Sequence, residues 1–108
     1  MTPTAHFDVL VVGGGLGGLS VALRLADSGV HVGLLVKRPF EQSSSAWAQG
    51  GIAAALDPDD SPANHVADTL AAGAGLCHPE VVRFVAERAP GAIRWLQDQG
   101  VTFTAVDE

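Results

Sequence analysis

The apolar positions in the first third of the chain form two short continuous runs with a helically spaced stretch between them. The β-branched run in Phe7–Val12 predicts a strand buried on both faces, and Val30–Val36 predicts a second strand. Between them, apolar residues recur at helical intervals from Gly15 or Leu16 to Ser28, and Gly29 suits the left-handed position after a helix end. A strand, a helix and a strand within about 30 residues predict a right-handed βαβ unit with parallel strands.

Helical spacing returns in the second half of the chain. Ser61 before Pro62 is typical of a helix start, so a helix is predicted from there to Gly73. Because proline disrupts a helix interior, Pro90 is expected to separate two further helices, Pro79–Arg88 and Gly91–Gln99. The apolar residues expected to face a core in these helices are Val81, Val82, Phe84, Val85, Ile93, Trp95 and Leu96.

The last apolar stretch, Val101–Val106, predicts the start of a further strand. Two or three parallel strands leave sheet edges uncovered, whereas parallel sheets normally lie inside larger domains. The expected fold class is therefore α/β, a Rossmann-like βαβ dinucleotide-binding unit followed by helices. We expect residues 1–108 to be the amino-terminal part of a larger domain.

The glycines between the first strand and helix carry the main functional signal. They form the motif Gly13-x-Gly15-x-x-Gly18, with Gly14 and Gly17 between. In a strand-turn-helix setting, Gly13 permits a tight turn, Gly15 lets a pyrophosphate approach the backbone, and Gly18 lets the helix pack closely. The helix N-terminus adds free N–H groups and partial positive charge. The motif predicts dinucleotide binding.

The residue types at the end of the second strand do not decide which dinucleotide binds. An NAD site places an acidic residue there to bond the ribose hydroxyls. This chain has Val36, Lys37 and Arg38 instead, and two cations suit a 2′-phosphate, as in NADP. A solvated basic pair at a strand end is the alternative interpretation.

A long segment without clear periodicity, Pro39–Asp60, follows the second strand and contains "SSSAWAQGGIAAAL". Its hydroxyls, indole, amide and paired glycines can offer many donors to a flat ligand. Long irregular loops in small domains are often functional, although a plain linker is the alternative. The acidic run "DPDD" at the end of this segment lacks the spacing of a calcium loop, and no metal is assigned.

Charge and composition exclude several classes of protein. The net charge is −6 and the excess acid lies in the second half, so no nucleic acid partner is expected. No secretory signal or membrane-spanning stretch is expected, and a single cysteine, Cys77, agrees with a cytoplasmic location. Cys77 is expected to act as a small buried hydrophobe, and His65 and Asp68 as a solvent-facing polar pair.

Four stretches of the sequence are specific enough to indicate a family: "VVGGGLGGLSVALRLAD", "SSSAWAQGGIAAALDPDDSP", "HVADTLAAGAGLC" and "AIRWLQDQGVTF", in that order. Together they resemble the L-aspartate oxidase branch of the succinate dehydrogenase and fumarate reductase flavoprotein family. The resemblance runs from about Phe7 to Phe103 and implies that the chain is the N-terminal part of an FAD-binding domain, without the capping domain and the C-terminal helical domain.

The resemblance implies FAD as the cofactor. Gly14 to Gly17 would hold the pyrophosphate, and Lys37 would stand at the adenosine end. Ser44 stands where covalent members of the family carry the histidine linked to FAD, which implies noncovalent binding. The full set of implied cofactor-binding residues is Gly13, Gly14, Gly15, Leu16, Gly17, Gly18, Lys37, Ser44, Ser45, Ala46, Trp47, Ala48, Gln49, Gly50 and Gly51.

The implied reaction is oxidation of L-aspartate to iminoaspartate by hydride transfer to the flavin, with oxygen or fumarate as electron acceptor. It feeds quinolinate and NAD synthesis, and the resemblance suggests association with quinolinate synthase. The family's catalytic residues lie downstream, so no catalytic residue is expected within these 108 residues. The alternatives are another dicarboxylate flavoprotein, such as a soluble fumarate reductase, and a non-catalytic truncated fragment.

Overall fold

The computed structural model describes residues 2–48 and 50–104. The chain divides into two compact units, Met1–Gly50 and Gly51–Glu108. The first contains strand β1 (Val9–Val12), helix α1 (Leu16–Asp27), strand β2 (Val32–Leu35), a 3₁₀ turn (Phe40–Gln42) and the single-turn helix α2 (Ser44–Trp47). The second contains helices α3 (Pro62–Gly73) and α4 (Pro79–Asp98).

Strands β1 and β2 pair in parallel, with Val9 opposite Val32 and Val12 opposite Leu35. This confirms the predicted βαβ unit, although both strands are shorter than Phe7–Val12 and Val30–Val36. Before the strands, the Asp8 carboxylate accepts a hydrogen bond from the His31 N–H at 2.9 Å. That bond aligns the two chain segments before the ladder begins.

Helix α1 ends as the sequence predicts. Gly29 adopts φ +84°, and its N–H donates to Ala26 O at 2.9 Å. The next N–H, of Val30, reaches back to Leu25 O at 3.1 Å. These two bonds satisfy carbonyls that the helix end leaves open and turn the chain towards β2.

The prediction that the first strand is buried on both faces is wrong for this chain. Val11 is half-buried, whereas Leu10 is 56% exposed and Val12 is 75% exposed. Among the described residues the sheet has only two strands, β1 and β2, so each strand has one unpaired edge. Apolar side chains that a larger sheet would cover therefore remain at the surface.

Helix α3 begins at the predicted position. The Ser61 side chain accepts a hydrogen bond from the Asn64 N–H at 3.1 Å, and Pro62 occupies the first helical position. At the other end, Ala74 adopts the left-handed conformation, with φ 48°, and Gly75 follows with φ 87°. Cys77 is half-buried, and its thiol lies 3.7 Å from Thr69 O.

The prediction that Pro90 separates two helices is wrong, because the single helix α4 runs through Pro90 without interruption. Ala86 and Ile93 lie seven residues apart on one stripe, are 3% and 4% exposed, and belong to the helix that packs on α3. This packing keeps the helix continuous despite the N–H that proline lacks.

The apolar face expected for α4 is also partly wrong. Val82 and Trp95 are half-buried, but Val81, Phe84 and Val85 are more than half exposed. The guanidinium of Arg88 lies 4.4 Å from the centre of the Phe84 ring. The buried stripe thus passes through Val82, Ala86 and Ile93, so Val82 and Ile93 are confirmed as core-facing while Val81, Phe84 and Val85 are not.

The described part of the predicted last strand, Val101–Val106, does not form a strand. Val101–Thr104 is irregular, and the rest of Val101–Val106 lies outside the described residues. No helix in the described part of the chain is long and apolar enough to cross a membrane.

Candidate functional site

The glycine turn between β1 and α1 is shaped by close backbone packing. Gly13 adopts φ +122°, which a residue with a side chain rarely tolerates, and its N–H donates to Leu35 O at 2.9 Å. A Cβ atom on Gly18 would overlap the carbonyl oxygen of Gly13. The turn therefore has the geometry that the motif predicts for Gly13 and Gly18.

The next two glycines lie beside the segment after β2. A Cβ on Gly14 would lie 2.5 Å from Val36 Cγ1 and 3.0 Å from Phe40 Cε1. A Cβ on Gly15 would lie 3.3 Å from Ser45 Oγ. Bare backbone thus faces the serine-rich segment, at the point where the helix N-terminus presents free N–H groups.

Ser45 connects the serine-rich segment to the glycine turn. The N-cap of α1 is Gly15, which has no side chain to cap the helix. The Leu16 N–H instead donates to Ser45 Oγ at 3.2 Å, across 29 residues of sequence. The Ser45 hydroxyl therefore acts as a cap supplied from a distant part of the chain.

The serine-rich segment is more regular than expected, because it contains the 3₁₀ turn and α2. The Ser43 side chain accepts from the Ala46 N–H at 3.1 Å and caps α2. The Trp47 indole N–H donates to Glu41 O at 2.9 Å, while the side chain is 76% exposed. Short-range hydrogen bonds of this kind leave no hydrophobic periodicity, which explains why sequence reasoning assigned an irregular loop.

A cleft of about 650 Å³ lies between the glycine turn and the segment after β2. This volume is in the range of small-molecule sites. Six of the expected cofactor-binding residues line it. They are Gly13, Gly14, Gly15, Lys37, Ser44 and Ser45. Eight further residues line it as well, namely Val12, Leu35, Val36, Arg38, Pro39, Phe40, Gln42 and Ser43.

The other expected site residues do not line this cleft, or cannot be placed in it. Gly17 and Gly18 lie within α1, after the turn. The Leu16 backbone N–H donates a hydrogen bond to Ser45 Oγ, which belongs to a residue that lines the cleft. Ala46, Trp47, Ala48 and Gly50 belong to the first unit but are not lining residues. Gln49 lies outside the described residues, and Gly51 belongs to the second unit.

Sequence reasoning missed the ring of Phe40 as part of the cleft. It lies close to Gly14, and a Cβ on that glycine would meet it. An isolated phenylalanine after a proline carries no sequence signal for such a role.

The cleft fits a dinucleotide on three counts. Gly15 lines it without a side chain, helix α1 points its N-terminus at it, and no carboxylate is among the lining residues in the part of the chain that the structure describes. In the second unit, the His65 Nδ1 atom is buried without a hydrogen-bond partner in the described part of the chain. No group of three or more metal-binding side chains occurs within residues 2–48 and 50–104.

Known proteins match this chain over most of its length. L-aspartate oxidase 1 of Ralstonia nicotianae is 54% identical over 99 residues, which is 92% of this chain and 18% of that protein. The L-aspartate oxidase of Nostoc sp. is 52% identical over 92% of this chain and 17% of its own length. That of Pseudomonas aeruginosa is 50% identical over 96% of this chain and 19% of its own length.

The chain thus spans less than a fifth of the length of these curated relatives. The family model described as an FAD binding domain matches residues 8–107. The resemblance inferred from the four sequence stretches is confirmed, as is the α/β fold class with its parallel βαβ unit. With β1, the glycine turn and α1 inside the matched region, this chain belongs to the FAD binding domain family.

Proposed function

We propose that this chain is the FAD-binding segment of an L-aspartate oxidase, and that it forms the N-terminal part of one FAD-binding domain. The observation that carries the proposal is the hydrogen bond from Leu16 N–H to Ser45 Oγ, because it joins the glycine turn and the serine-rich segment around one cleft. The similarity to L-aspartate oxidases supports the same conclusion.

Each part of the site has a role in this proposal. The backbone at Gly14 and Gly15 and the N-terminus of α1 hold the pyrophosphate. Lys37 stands at the adenosine end, and residues 44–51 lie along the flavin. Bound FAD supplies a two-electron acceptor, while the protein groups orient it and set its electron affinity.

In the longer enzyme, L-aspartate is oxidised to iminoaspartate, with oxygen or fumarate as the final acceptor. The substrate-binding and catalytic groups lie outside these residues. We therefore expect no aspartate-dependent peroxide formation from the isolated chain. The cytoplasmic location and the association with quinolinate synthase belong to the same proposal.

Titration of the purified chain with FAD, followed by flavin fluorescence, tests the cofactor site. The sample is first shown to be folded by circular dichroism. Saturable quenching is expected for the unmodified chain and loss of it for Gly15→Ala, because the added methyl group enters the space of the phosphate. Gly91→Ala on α4 is the matched control, since its Cβ approaches only Arg94 Nη2 at 4.0 Å. A folded chain that leaves flavin fluorescence unchanged contradicts the proposal.

The noncovalent attachment of FAD is tested separately on the complete enzyme. A serine at position 44 cannot form the histidyl link, so boiling in detergent should release all of the flavin. Yellow colour that stays with the denatured protein band would disprove noncovalent binding.

A further inference from the structure

An aromatic side chain forms part of the cleft wall after β2. In the described part of the chain, Phe40 is the one aromatic residue that lines the cleft, and it is 47% exposed. One edge of its ring faces Gly14, since a Cβ there would lie 3.3 Å from Phe40 Cδ1 and 3.0 Å from Phe40 Cε1. The ring is therefore packed against the glycine turn along one edge and still presents exposed surface.

The packing of this ring explains why residue 14 is a glycine. The dinucleotide motif needs glycine at positions 13, 15 and 18 and leaves position 14 open. Gly14 does not adopt the positive φ that favours glycine. A Cβ at this position would instead collide with Val36 Cγ1 and press on the Phe40 ring. The second glycine of the turn thus lets the segment after β2 approach closely, and the Phe40 ring with it.

The backbone around Phe40 is held by hydrogen bonds. Pro39 precedes the 3₁₀ turn with φ −51°, and Phe40 is the first residue of that turn. The Phe40 carbonyl accepts a hydrogen bond from the Ser43 N–H at 3.0 Å. The next carbonyl, of Glu41, accepts one from the Trp47 indole N–H at 2.9 Å. A side chain on a turn that is already ordered costs little conformational entropy when a ligand binds.

The proposed cofactor has one part for which no contact has been assigned, the adenine base. In the proposed function, the glycine turn holds the pyrophosphate, residues 44–51 lie along the flavin, and Lys37 stands at the adenosine end. Phe40 follows Lys37 by three residues on the same segment. Adenine is a flat aromatic base, and an exposed phenyl ring is a surface on which such a base stacks.

We propose that Phe40 stacks on the adenine base of the bound dinucleotide. The inference deepens the proposed function, because it rests on the proposed FAD site and adds a residue that the resemblance does not assign to that site. The cleft then binds its ligand in two ways. Backbone N–H groups at the start of α1 hold the phosphates, and the phenyl ring holds the base.

The test compares ADP, the adenosine half of FAD, with inorganic pyrophosphate, which has the phosphates without the base. Each is titrated into the full chain, shown by circular dichroism to be folded, and amide shifts of residues 13–16 give the dissociation constants. Phe40→Ala should weaken ADP binding about tenfold, as for the loss of one base–aromatic stack, and leave pyrophosphate binding unchanged. An equal loss for both ligands would mean that Phe40 only supports the glycine turn, and overturns the inference.

Two further variants separate stacking from apolar bulk. Phe40→Tyr keeps a ring and should retain the affinity for ADP, whereas Phe40→Leu keeps an apolar side chain without a ring and should lose most of it. Phe84→Ala, which removes an exposed phenylalanine from α4, is the matched control and should bind ADP as the unmodified chain does. Full ADP affinity in Phe40→Leu overturns the inference.

The bound base also gives a direct signal of stacking. The ring current of a stacked phenyl group should move the adenine H2 and H8 resonances of ADP upfield in the unmodified chain, and the shift should vanish in Phe40→Leu. A merely structural role of Phe40 does not produce this shift. Its absence from the complex of ADP with the unmodified chain overturns the inference.

The result is separable from the proposed FAD site. If FAD binds and Phe40→Ala binds ADP as tightly as the unmodified chain, this inference falls and the proposed function stands. If ADP binding depends on the ring and FAD does not bind, the adenine contact stands and the proposed flavin cofactor falls. A folded chain that binds neither ADP nor FAD contradicts both.

Discussion

The backbone of Gly18, in the first turn of α1, lies against the carbonyl oxygen of Gly13, and a Cβ atom at residue 18 would overlap that oxygen. The contact fixes the distance between the helix and the end of β1. It also fixes where the helix N-terminus points, and so connects one glycine of the motif to the shape of the cleft.

We expect Gly18→Ala to destabilise the first unit by about 1–3 kcal/mol, because the added methyl group forces α1 away from the turn. Gly17→Ala is the matched control, since nothing lies within 4 Å of a Cβ at that position. Its stability should be unchanged or slightly higher, because alanine favours a helix more than glycine does. Urea unfolding followed by circular dichroism measures both variants, and equal losses in the two contradict the packing argument.

Ser45→Ala should loosen the start of α1. The Leu16 N–H loses its acceptor, and a cap of this kind contributes about 1 kcal/mol. Hydrogen exchange of the Leu16 amide should therefore become faster in the ligand-free chain. Ser28→Ala is the control, because its hydroxyl donates to Leu25 O at the other end of the same helix. Unchanged exchange at Leu16 in Ser45→Ala would show that the contact does not persist in solution.

The side chain of Phe7 covers Gly33, the buried glycine of β2. A Cβ on Gly33 would lie 2.8 Å from the Phe7 ring, and the ring also lies 5.1 Å from that of His31, centre to centre. Gly33→Ala should cost about 1–3 kcal/mol by overpacking. If the ring causes this cost, Gly33→Ala should cost much less in a Phe7→Ala background. A double-mutant cycle from unfolding midpoints tests this, and strictly additive losses rule it out.

Ser61→Ala should destabilise α3 by about 1 kcal/mol, because the Asn64 N–H loses its cap. Ser61→Asp keeps an acceptor at the same position and should retain most of the stability. Thermal unfolding of the two variants gives the comparison. Equal melting temperatures for Ser61→Ala and the unmodified chain would mean that water satisfies that N–H equally well.

Local signals explain what the sequence predicted correctly. Ser61 and Gly29 act within a few residues of their own positions, so the start of α3 and the end of α1 could be located without knowing the rest of the fold. Contacts over long separations could not be predicted. The bond between Leu16 and Ser45, and the packing of Phe7 on Gly33, depend on how distant segments meet.

Tertiary packing also overrode one strong local rule. Pro90 predicted a break between two helices, yet the buried residues Ala86 and Ile93 lie on either side of it in one continuous helix. The same stripe leaves Phe84 exposed, although its spacing with neighbouring valines suggested a core position. Helical periodicity shows that α4 is amphipathic. Which of its two adjacent apolar faces is buried depends on where the partner helix α3 packs.

Trp47 and Trp95, the two tryptophans of the chain, fall one in each unit, with different exposure. Trp47, next to the cleft, is largely in water, while Trp95 on α4 is half-buried. The protein therefore carries a separate intrinsic fluorophore for each half. With Trp95→Phe, emission reports on the serine-rich segment alone, so the order in which the two halves unfold can be followed without an added label.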